Sequence, residues 1–172
     1  MNQLANVDPF SDASPQNPEA GGEALFQDPF AGAPAYATQM ESSSHNAGMS
    51  CIHAGCHGAG GSPGAPSLLI GGTVYADYKG ATPAAGVQVR IVDTAGHSAS
   101  TYSGLEGNFY ILSSNANGVT FPAVVGVRDG KSTRPMITML EASTASCGQA
   151  KCHVRGGGPM SNTGSYYPIH VP

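Results

Sequence analysis

Four cysteines stand in two stretches, SCIHAGCHG at 50–58 and SCGQAKCHV at 146–154. Each stretch reads Cys, four residues, Cys, then His at once, and the chain has no other cysteine. The repeat asks for a chemistry that needs two sulfurs with an imidazole directly behind the second. Three chemistries compete. Disulfides Cys51–Cys56 and Cys147–Cys152 would close small loops that constrain little of the unfolded chain, and they leave His57 and His153 without a role. Zinc accepts two Cys and a His, but adjacent ligands such as Cys56 and His57 do not easily reach one tetrahedral ion. Zinc loops usually place about two to four residues between ligands. Covalent haem requires the adjacency. Two thiols bond to the vinyl groups at the porphyrin edge, and the next side chain turns beneath the ring onto the iron.

The usual attachment signature is C-x-x-C-H. The longer loop here keeps both end points and only bulges the connection. Such four-residue spacers resemble variants found in multihaem c-type cytochromes. The resemblance implies two covalently bound haem c groups, one on Cys51 and Cys56 with proximal His57, the other on Cys147 and Cys152 with proximal His153. Thioether formation requires reduced thiols and export. The start, MNQLANVDPFSDASPQ, lacks the basic residues and the apolar core of a signal peptide, so the expectation is an exported chain whose leader has been removed.

An electron carrier fills both axial positions of its iron, whereas an open position admits small-molecule chemistry. Four histidines remain for the far side. His45 precedes Cys51 by six residues, an extended span of roughly 20 Å, and its H-N-x-G context resembles upstream ligands in multihaem cytochromes. His170 lies in the apolar tail YYPIHVP, where metal ligation would dock an end that is otherwise hard to explain. His53 sits inside the first loop and cannot cross to the far face of its own haem, but it can serve a neighbouring one. His97 reads as an exposed turn residue. Met49 and Met160 flank the two motifs as further candidates, and bis-His ligation is the simpler assignment.

The elements that must position these groups are strands and turns. Gly and Pro make up about a fifth of the 172 residues, which argues against long helices. Residues 1–43 form an extended arm with an internal echo, VDPF and QDPF. It is either a loose tail or an arm whose Phe10 and Phe30 anchor on a neighbouring subunit. Residues 44–66 carry the first Cys/His segment. Residues 67–140 hold short β-type runs, LLIGGTVYAD, GVQVRIVDT, GNFYIL, AVVGVRDG and RPMITML, separated by the turns YKGATPAAG, TAGHS and GLEGN. In VQVRI, Val87, Val89 and Ile91 share one face, and Gln88 and Arg90 share the other. The expectation is a mainly β chain: a small antiparallel β-sandwich of about seven strands, flanked by irregular haem-binding segments. Residues 141–172 carry the second Cys/His segment and the tail.

The stretch GGTVYADYKGATPAAGVQVRIVDTAGHSASTYSGLEGNFYI resembles the carboxypeptidase regulatory-like domain, a transthyretin-like β-sandwich. The matching residues are Gly72, Val74, Pro83, Gly86, Val87, Val89, Gly107 and Phe109. The resemblance implies a scaffold or binding module and no reaction of its own.

Composition excludes several functions. The net charge is −4 and the seven Lys and Arg form no basic run, so no nucleic acid is expected. No apolar run approaches the ~20 residues of a membrane span. GAGGSPG lacks the strand and helix that a dinucleotide site requires, and no nucleophile–base pair stands out, so no enzyme is expected. The resulting expectation is a dihaem electron carrier, extracellular or at the cell surface, or else periplasmic. It would exchange electrons with other redox proteins or extracellular acceptors and associate into a homopolymer, a conducting filament. The alternatives are a binding or adhesion module with Cys/His metal clips, and a haem sensor or redox enzyme with an open iron.

Overall fold

The computed structural model describes residues 28–40, 46–58, 61–136, 138–148, 153 and 168–171. Phe10, His45, Cys152 and Met160, all named above, lie outside them. Among the described residues the strands are β1 (Leu68–Tyr75), β2 (Gln88–Asp93), β3 (Ser98–Tyr102), β4 (Asn108–Leu112), β5 (Ala123–Arg128), β6 (Thr133–Pro135) and β7 (Ile169–His170). They form a three-stranded sheet, β4-β1-β7, and a four-stranded sheet, β3-β2-β5-β6. The fold is mainly β, as expected, in the form of a small sandwich. Neighbouring strands run antiparallel except β7, which lies parallel to β1.

The period of two in β2 places Val89 and Ile91 fully inside, with Val87 just ahead of the strand. Across the core stand Ile70, Val74, Phe109 and Ile111 from the other sheet. Each such side chain contributes about 1.5–3 kcal/mol on leaving water. The seven expected strands are corrected in one respect. Six fall within 67–140, and the seventh comes from the tail. β3, sequence SASTY, has too little apolar alternation to announce itself. It is an edge strand recruited by its pairing with β2 from Gln88↔Tyr102 to Val92↔Ser98.

The turn TAGHS is held by Asp93, which is 2% exposed. Its carboxylate accepts the N–H groups of Ala95, His97 and Thr120, the Thr120 hydroxyl, and the His97 ring Nδ1–H at 3.0 Å. Burial alone would raise this carboxyl. The His97 ring, followed by the other donors, outweighs it and holds the group well below the usual carboxylate range. His97 thus has a structural partner within its own turn.

Residues 28–40 lie across the outer face of the four-stranded sheet. Pro29 and Phe30 press on Gly126, Arg128 stacks 4.5 Å over the Phe30 ring, and the Tyr36 hydroxyl donates to the Gly86 carbonyl at 2.8 Å. Phe30 is therefore buried against its own chain, which corrects its expected role as an anchor on a neighbouring subunit. The reason is local. Gly126 offers no side chain, so ring and proline reach the backbone. Gln88, expected on the solvent side with Arg90, is buried on this covered face and accepts the Arg128 Nε–H at 2.7 Å.

Candidate functional site

Both Cys/His segments converge on one strand. β1 contains the pair Gly71–Gly72, and successive residues of a strand face opposite sides of its sheet. A β-carbon at Gly71 would stand 3.1 Å from the Cys51 Cβ. One at Gly72 would stand 2.9 Å from the Cys147 Cβ and 2.9 Å from the Phe109 ring. The first cysteine of each motif therefore leans on β1 from opposite sides; a β-carbon at Gly72 would clash with Cys147 and Phe109, and one at Gly71 would need Cys51 to give slightly.

The segments are also joined to each other. Ser146 lies beside Gly71 in a parallel bridge, and the Cys147 N–H donates to the Gly71 carbonyl at 2.9 Å. The buried Ser146 hydroxyl accepts the N–H of Cys51 at 2.9 Å and of Ile52 at 3.3 Å, and meets the Ser50 hydroxyl at 2.8 Å. Two N–H donors occupy its lone pairs, which leaves its proton for Ser50. Each loop closes in the same way: the His57 N–H donates to the Cys51 carbonyl at 3.2 Å, and the His153 N–H donates to the Cys147 carbonyl at 3.0 Å. The same closing hydrogen bond, from the motif's histidine N–H to the carbonyl of its first cysteine, thus occurs in both segments.

In the first segment Cys51 and Cys56 are thiols without a disulfide. Burial pushes the Cys51 thiol up, and nearby Cys56 adds to the effect. His57 Nδ1 lies 2.9 Å from the Pro66 carbonyl. A carbonyl only accepts, so Nδ1 carries the proton and Nε2 holds the ring's lone pair, the tautomer of a histidine oriented for a metal. His53 is exposed and has the same tautomer through the Ala54 carbonyl at 2.6 Å. Tyr110 of β4 is paired with Gly71, so it shares the Cys51 face of the sheet, where it is 38% exposed. Met49, 62% exposed, is close to Gly148 of the second segment through its carbonyl.

The second segment borders a cavity of about 390 Å³ at the open edge of the sandwich, between β5–β6 and β7. That is within the ~300–1,000 Å³ of small-molecule and cofactor sites. Its walls are chiefly apolar, with Val89, Phe109, Val125, Val127, Met136, Met139, Leu140 and Ile169, and they also carry Cys147, His153 and His170. β7 brings His170 there by pairing with Tyr75, while Val171 N–H donates to the Tyr75 carbonyl at 3.0 Å. His170 Nδ1 lies 3.0 Å from the Pro168 carbonyl, so its lone pair too is on Nε2.

The structure thus gathers Cys147, His153 and His170 at one cavity, and Cys51, Cys56, His57 and His53 in the adjoining loop. Among the described residues no three His, Cys, Asp or Glu side chains converge on a common metal position. Sequence reading missed Ser50, Ser146, Gly71, Tyr110 and the methionines of the cavity. The GG pair inside an otherwise β-type run was the available signal for close backbone approach. Among the described residues no helix is long and apolar enough to cross a membrane. Comparison with family models, with curated proteins and with solved structures finds no match to this chain.

Proposed function

We propose that this chain is an exported dihaem c-type cytochrome that carries electrons between closely spaced haems. The observation that carries the reading is the cavity with Cys147, His153 and His170 on apolar walls. Those residues fit haem: a thiol for the ring edge, two imidazoles for the iron, and hydrocarbon for the flat macrocycle. Bound there, haem supplies reversible one-electron chemistry at its iron. The chain's own work is positioning. Cys147 with Cys152 would hold one haem covalently, and His153 and His170 would be the nitrogen donors to its iron. Cys51 with Cys56 tethers the other, with His57 turned by the Pro66 carbonyl. The shared loop closure supports one chemistry at both segments, and the Gly71–Gly72 step supports attachment points on two sides of a single strand. The sandwich is then a scaffold, in keeping with its resemblance to carboxypeptidase regulatory-like domains.

The same reading extends to self-association into an extracellular filament, with other redox proteins or extracellular acceptors as partners. Its support is exposed His53, whose Nε2 lone pair suits the iron of a neighbouring copy, and the exposure of Met49 and Tyr110.

Intact mass tests the chemistry directly. The expected gain is two haem masses, with stain retained after denaturation and low-spin spectra unaffected by carbon monoxide. A colourless chain at its bare polypeptide mass overturns the reading and leaves a binding module with metal clips. Carbon monoxide binding to the native protein indicates a sensor or enzyme. Negative-stain images test the filament, and uniform monomers at high concentration overturn it.

A further inference from the structure

The cavity carries one charge that the haem ligands do not explain. β6 pairs with β5 at Val127↔Arg134, and residues opposite one another share a face of the sheet. Val127 is a core residue, so exposed Arg134 shares its side of the sheet on an edge strand, and it lines the cavity at its mouth. The other described cations have partners. Arg90 donates to Ser98 and Ser100, Arg128 to Gln88 and Pro34, Lys79 sits over the Tyr78 ring, and Lys131 is in electrostatic contact with Asp129. Arg134 has none among the described residues. Arg134 is exposed at the cavity mouth, where the edge of a bound macrocycle would meet solvent, and a planar anion there would accept two parallel N–H···O bonds from its guanidinium.

We propose that Arg134 is the counter-charge for the carboxylate groups of the porphyrin held in this cavity, an inference that rests on the haem reading above. The lining then matches each part of one ligand: imidazoles for iron, hydrocarbon for the ring, and the guanidinium fork for the carboxylates at its edge. The rival role is structural. A charge on an edge strand also discourages pairing with another chain.

The test uses the haem-loaded protein and three variants, Arg134→Gln, Arg134→Lys and, on the same hairpin but away from the cavity, Lys131→Gln. The midpoint potential of each haem is measured by spectroelectrochemical titration, and association by light scattering. The expected result is a downward shift of one potential in Arg134→Gln, because the lost cation favoured the reduced, less positive state. Arg134→Lys retains most of the charge effect and shifts less, and Lys131→Gln leaves both potentials in place. Unchanged potentials in Arg134→Gln with increased association overturn the inference in favour of edge protection, while the haem reading stands. A chain that gains no haem mass overturns both.

Discussion

The hydroxyl oxygen of Ser146 lies 2.9 Å from the backbone nitrogen of Cys51, although 95 residues separate them. Each of these residues belongs to a different Cys/His segment. The hydrogen bond therefore sets the first segment against the second, and the parallel bridge of Ser146 with Gly71 sets both against β1. The position of Cys51 relative to Cys147, the neighbour of Ser146, is thereby set by this contact.

Ser146→Ala removes the acceptor for the N–H groups of Cys51 and Ile52. Stability falls by about 1–3 kcal/mol, the usual cost of orphaned donors. Thermal denaturation reads this as a drop of several degrees in Tm. Hydrogen exchange is expected to rise at residues 50–52 and stay unchanged in β2 and β5.

Gly72→Ala puts a methyl group 2.9 Å from both the Cys147 Cβ and the Phe109 ring. Overpacking of this kind costs about 1–3 kcal/mol. Chemical denaturation is expected to show a lower midpoint, and the damage appears at Cys147 because Phe109 is locked in the core. Gly71→Ala meets Cys51 at 3.1 Å on the less buried side and is the milder change.

Phe30→Ala uncovers the outer face of the four-stranded sheet. The lost burial amounts to about 1.5–3 kcal/mol, with the contact to Arg128 adding about 0.5–1 kcal/mol. Faster hydrogen exchange in residues 28–40, with little change at β1, is the expected signature.

Acid weakens the β2–β3 turn. Asp93 has a carboxyl held below its unfolded value of about 3.9, so its contribution is complete above that pH and is lost as pH falls through and below it. Asp77, held low by the N–H groups of Thr82 and Ala81, acts in the same direction. Tm is expected to decline steeply below about pH 4. Asp93→Asn is less stable at neutral pH and declines less over the acid range.

On the proposed function, His170→Ala opens one iron and leaves covalent attachment intact. Intact mass is expected to stay at two haems, while carbon monoxide shifts the spectrum of one of them. A spectrum indifferent to carbon monoxide removes His170 from the ligand set.

The sandwich was legible because VQVRI alternates with a period of two, because β5 is a short apolar run, and because glycines punctuate the turns. β3 was not, since Ser and Thr carry no periodic signal. The Cys/His pairs were legible as chemistry from spacing alone. Their meeting on β1 was not, because it depends on two glycines and two serines whose roles arise only when distant segments close. The parallel placement of β7, which delivers His170, has no local signature either. A two-residue strand is defined by its partner.

Strand β1 takes its neighbours from far along the chain: β4, the bridge at Ser146, and β7. Closing loops of that length costs entropy before any contact compensates for it. Such non-local wiring sets a slow folding rate, on the order of milliseconds to seconds for β-sandwiches. Two of the three pairings in the four-stranded sheet, β2–β3 and β5–β6, close over short turns, so that sheet is expected to form before β1 gathers the Ser146 bridge and β7.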